Sequence, residues 1–186
     1  MGDWISDDMP RPREDDGFTV VGPWGVAAFA GCALVVLWLG ATGERWVPLL
    51  DSANLAFHEA GHPLCGVLYE PLGVYGGTLF QLAFPLATVA HFLRRGEALS
   101  SAFAGLWVAQ NLLNVSRYMA DARAMELPLV GGLDPLDHHD WRLILIRWGL
   151  LAWDTRLAGL LEGAAILAIV ALVGWVGLRA RRTPEA

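Results

Sequence analysis

Lysine is absent from this chain of 186 residues, and all thirteen basic residues are arginine. They are outnumbered by nineteen Asp and Glu, giving a formal charge of −6. No basic patch is interleaved with aromatic residues, so nothing points to a nucleic-acid partner. Cysteine is almost as scarce. Cys32 and Cys65 both lie in apolar runs, where two thiols are expected rather than a disulfide. Internal repeats and low-complexity segments are missing. So is a basic leader: the first seventeen residues are polar and acidic (Asp3, Asp7, Asp8, Glu14, Asp15, Asp16), and residues 1–17 are expected to form a mobile tail.

What the chain has in excess is apolar surface. Hydrophobic residues make up 55% of it, and the mean hydropathy is +0.43, well above that of ordinary soluble domains. A bilayer-spanning helix needs about 20 residues. Runs near 20–40, 49–69, 73–93, 99–120 and 156–178 meet that length, and "RLILIRWGLLAW" (142–153) reads as a helix lying at the interface. The expected fold is therefore all-α: a polytopic membrane helical bundle of about five transmembrane helices plus one interfacial helix. It occupies residues 18–178 as a single domain, with a basic C-terminal tail at 179–186. Apart from Arg117 within the fourth run, the arginines divide evenly between the two sides of that topology, so the positive-inside rule assigns no orientation.

Inside the second run stands "FHEAGHP". His58 and His62 are four apart, so on a helix their rings leave one face and can share a metal ion, while Glu59 points slightly aside. Zinc lowers the pKa of a bound water to about 7, and a neighbouring Glu can then act as general base toward a carbonyl. The alternative is a pair of buried, hydrogen-bonded histidines, but ionisable groups within a span are costly and usually functional. Pro63 should kink the helix just past the second His.

Catalytic zinc takes three protein ligands and keeps one position open. The fourth run offers Asn111, Asn114, Tyr118 and Asp121, spaced three, four and three along one helix face. Asn111 and Asn114 suit either interhelical hydrogen bonding or the positioning of substrate or water. Asp121, near a span end, is a candidate third ligand, although the depth offset from His62 is roughly 10 Å at 1.5 Å per residue. The loop "DHHD" is the other source: His138, His139 and Asp140 are possible ligands or carboxylate partners of an imidazole, or part of a solvated loop. Cys65, on the face of His62, reads as a packing residue.

"HEAGH" in a span, a following "GG" (Gly76, Gly77) and a later "NLLNVSRYMAD" resemble the site-2 protease family of intramembrane zinc metalloproteases. The resemblance covers roughly residues 49–121. Its second motif departs from the family's Leu-Asp-Gly ending, with Ala122 after Asp121. It implies that His58, His62 and Asp121 bind Zn2+, that Glu59 is the catalytic base, and that Asn111 holds substrate or water. It also implies that the substrate is a transmembrane protein in a lipid bilayer, for a bacterium the inner membrane. The competing expectation is a non-catalytic membrane subunit that packs against partners in a larger complex and holds a structural metal or a pigment.

Overall fold

The computed structural model describes residues 16–42 and 46–181, and residues 1–15 of the expected tail lie outside it. The described residues are helical throughout, with no β-strand: α1 (Pro23–Ala41), α2 (Leu50–Leu68), α3 (Gly73–Arg94), α4 (Ala98–Ala120), α5 (Pro135–His138), α6 (Asp140–Arg147) and α7 (Asp154–Arg181). Proline starts α1 directly after Gly22, where its missing N–H costs nothing. The turn between α3 and α4 uses Gly96 at φ 66.

Among the described residues three helical stretches, rather than five, are long and apolar enough to cross a bilayer: Pro23–Ala41, Glu70–Arg94 and Leu151–Ala180. The helices α2 and α4 have the length, 19 and 23 residues, but not the composition. Their inner faces carry Asp51, Asn54 and His58 on α2 and Gln110 and Asn111 on α4, all buried. Those groups lower the hydropathy and face one another, which removes them from any surrounding solvent. The outer faces of α1 and α7 are the reverse, with Trp24, Leu34, Trp38, Leu160 and Leu167 exposed.

The expected interfacial helix is interrupted. It begins at Asp140, ends at Arg147, and turns through Gly149 at φ 69 into a short 3-10 turn, Leu151–Trp153, that leads into α7. Nor is Arg179 part of a tail. It lies on the last turns of α7, buried, with Nη1 2.7 Å from Asp16 Oδ1 and its guanidinium over the rings of Phe18 and Trp175. Residues 182–186 lie outside the described part.

Two packing units result. α1, α4 and α7 meet around Phe29, Ala33, Ala102, Ala109, Ile169 and Val176. α2 and α3 cross at glycine. A Cβ on Gly61 would lie 2.1 Å from the Gly76 carbonyl oxygen, and one on Gly76 would lie 2.2 Å from that of Gly61. No side chain fits between the two backbones. This close crossing brings α3 onto the histidine face of α2, and α6 then docks against α3.

Candidate metal centre

The inward stripe of α2 consists of Asp51, Asn54, His58, Gly61 and Cys65, spaced three, four, three and four. His62 follows Gly61 and is half-buried, while Glu59 follows His58 and is exposed. The helix runs through Pro63 without a break, and the proline, lacking an N–H, leaves the Glu59 carbonyl without its intrahelical donor.

Both imidazoles aim Nε2 at one carboxylate oxygen. Asp140 Oδ2 lies 2.9 Å from His58 Nε2 and 3.3 Å from His62 Nε2. One ligand atom from each of the three residues falls within 4.8 Å of the others. Burial pushes the Asp140 carboxyl up, but its hydrogen bonds and charge interactions with the two histidines outweigh this and hold it below the usual carboxylate range.

The surrounding network fixes where the imidazole protons sit. A backbone carbonyl can only accept, so His62 Nδ1 donates to the Gly73 oxygen at 2.8 Å. For His58 the assignment passes along a chain of amides. The Trp107 indole, which can only donate, gives its N–H to Asn54 Oδ1 at 2.8 Å. Asn111 Nδ2 donates to the same oxygen and to the Gln81 backbone carbonyl, both at 2.8 Å. Asn111 Oδ1 therefore accepts from Gln81 Nε2 at 2.8 Å. That leaves Gln81 Oε1 facing His58 Nδ1 at 2.7 Å, and His58 Nδ1 must donate. In the neutral ring each histidine then carries its proton on Nδ1 and a lone pair on Nε2. Two lone pairs and a carboxylate converge, an arrangement that repels unless protons or a cation lie between them.

A divalent metal fits this donor set. Ligating histidines commonly give their other N–H to a carbonyl or carboxylate, as both do here. Tetrahedral zinc with ligands about 2.0 Å away sets them about 3.3 Å apart, close to the separations from Asp140.

Asp121 is not in this cluster. It caps the end of α4 and folds over its own turn, where Oδ1 accepts from the Glu126 N–H at 2.9 Å and Oδ2 from the Leu127 N–H at 3.1 Å. Its remaining partner is His139 Nε2 at 3.3 Å. Asp140, named in the sequence only as an alternative, occupies the place expected for Asp121. His139 is fully buried and committed: Nδ1 accepts from the Arg142 N–H as the cap of α6, so Nε2 carries the proton toward Asp121. Burial, the largest effect, pushes its pKa down despite Asp121. His138 is exposed and turns to the Asp134 carbonyl. Asn111 belongs to the amide chain, and Asn114 donates to Asp51 Oδ1 at 2.9 Å. Cys65 packs at the α2–α3 crossing beside Gly76.

A cleft of about 540 Å³ opens beside the cluster, with His58, Glu59, Gln81, Asn114 and Tyr118 in its walls and residues 127–130 along one rim. Sequence reasoning missed Gln81, although it sits four residues past Gly77, whose added Cβ would lie 2.5 Å from the His58 ring. A glycine and an amide on one face of an apolar helix were the available signal. No protein-family model, curated protein or solved structure matches the chain.

Proposed function

We propose that the chain is an integral, multi-pass membrane zinc metalloprotease, of the kind that the site-2 proteases it resembles represent, hydrolysing peptide bonds of membrane-protein substrates. In this reading His58, His62 and Asp140 hold Zn2+ and Glu59 is the general base. The observation that carries the proposal is the convergence of two imidazoles and one carboxylate beside a cleft whose walls include His58 and Glu59. Zinc bound there supplies Lewis acidity and makes water acidic near neutral pH. The chain's own residues do the rest. Glu59, one residue from a ligand and open to the cleft, takes a proton from water and returns it to the leaving amine. The polar wall of the cleft admits water to a site flanked by apolar helices. The apolar outer faces of α1, α3 and α7 suit lipid, for a bacterium that of the inner membrane.

The ligand set and the reaction are separable in one experiment. Purified protein should carry about one zinc per chain, since three ligands and one open position describe a single catalytic ion. Asp140→Ala and His58→Ala should lose it, and Asp121→Asn should keep it. Glu59→Gln should retain zinc and stop cleavage of model membrane-spanning peptides. Zinc retained in Asp140→Ala and lost in Asp121→Asn would reverse the ligand assignment. Bound zinc without any cleavage would favour the non-catalytic membrane subunit.

A further inference from the structure

The polar stripe of α4 contains a hydroxyl group, that of Tyr118, whose proton neither the metal cluster nor the amide network uses. We infer that Tyr118 is a catalytic residue: its phenolic O–H donates a hydrogen bond to the scissile carbonyl oxygen as that oxygen becomes an oxyanion. This deepens the metalloprotease reading and rests on it.

Position comes first. Tyr118 lines the cleft together with His58 and Glu59, and its ring centroid is 5.9 Å from that of His58. Its Oη accepts the backbone N–H of Asp140, the third ligand, at 3.1 Å, so the phenol oxygen sits directly beside the metal cluster. Among the described residues that amide is the one hydrogen-bond partner of the phenol, and it is a donor. The O–H itself therefore has no acceptor within the described protein, and the residue that carries it lines the open cleft.

Rigidity comes second. The Tyr118 ring stacks on His139 with centroids 4.3 Å apart and planes 27° from parallel. His139 is fixed at both nitrogens, by the Arg142 N–H and by Asp121, which is itself held by two loop amides. Asp121 and His139, both candidate ligands in the sequence, thus form the support of the phenol. A donor held in place before reaction stabilises developing charge without reorganisation.

The chemistry balances without further reactants. The water oxygen adds to the carbonyl carbon, the water proton passes to Glu59, and the carbonyl π pair moves onto oxygen. That oxygen, now negative, accepts the Tyr118 hydrogen bond. As the C–N bond breaks, the pair returns to carbon and Glu59 gives its proton to the departing nitrogen. The hydrogen bond strengthens only in the charged state, so it acts on kcat rather than on KM.

The test uses the full chain, zinc-loaded in detergent micelles, with a library of fluorogenic model membrane-spanning peptides as probe. Wild type and Glu59→Gln are measured first. Tyr118→Phe should lower kcat about 100-fold, the size of losing one oxyanion donor. KM and zinc affinity should be unchanged. A phosphinic peptide built on the best-cleaved library member should bind more weakly by the same factor as the loss in kcat/KM. Wild-type kcat in Tyr118→Phe would overturn the inference while leaving the metalloprotease reading intact. Loss of zinc in parallel with kcat would overturn it as well, because Tyr118 would then only support Asp140. If wild type does not cleave, or Glu59→Gln does, the metalloprotease reading fails and the inference with it.

Discussion

Gln81 uses both ends of its amide, one toward His58 Nδ1 and one toward Asn111 Oδ1. It therefore decides which nitrogen of His58 is free to meet a metal. Gln81→Leu removes that control and leaves a buried Asn111 acceptor unpaired, at a cost of about 1–3 kcal/mol. Zinc affinity, measured by competition with a chelator, should fall about 10- to 100-fold, the usual effect of losing an outer hydrogen bond to a ligating histidine. Gln81→Glu keeps an acceptor for His58 and should recover much of that affinity. An unchanged affinity in Gln81→Leu would mean that the amide chain does not set the tautomer. At this scale the sequence was legible in part. His58, Glu59 and His62 stand out because four-residue spacing is enough to put two rings on one helix face. Asp140 does not, because choosing among His138, His139 and Asp140 depends on how the short α6 is capped. His139 turns inward to cap and stack, and that rotates the next carboxylate toward α2.

The α2–α3 pair is held at a backbone-to-backbone crossing, and three of its glycines have different duties. Gly61 and Gly76 each face the other's carbonyl, so a methyl at either must push the helices apart. Gly77 faces the His58 ring instead. Gly76→Ala should lower the thermal midpoint in detergent, with overpacking costing about 1–3 kcal/mol. Gly77→Ala should cost zinc affinity more than stability, because its methyl meets an imidazole rather than a backbone. Gly163→Ala, where nothing lies within 4 Å, provides a neutral control. Equal effects from all three would show that the crossing is looser than described. The helices themselves were legible from apolar runs, and α1, α3 and α7 carry that signal on outward faces. The number of apolar spans was not. Length alone counts α2 and α4 among the spans, while the buried Asp51, Asn54, Gln110 and Asn111 that lower their hydropathy satisfy one another only in the fold.

At the scale of the whole molecule the chain is tied at separated points. Asp16 reaches Arg179 near the far end of α7, and α1, α4 and α7 pack against one another. The His58–His62–Asp140 cluster adds a third tie, because His58 and Asp140 are 82 residues apart in sequence and meet at 2.9 Å. Between them lie α3, α4 and the irregular segment 121–139, whose turns include Met125 at φ 54 and Gly131 and Gly132 at φ 74 and 67. A long α-helix keeps its own hydrogen bonds along its whole length, whereas that segment is held by isolated turns, the short α5 and two amides on the Asp121 carboxylate. An ion at the cluster would therefore act as a removable cross-link, restricting the loop far more than the helices that flank it. Stripping zinc should quicken amide hydrogen exchange across residues 121–139 while the middle of α4 stays protected. Equal exchange with and without metal would deny the cross-link. The rim of the cleft belongs to the same segment, so the ion that would cleave a substrate would also set how firmly the wall beside it is closed.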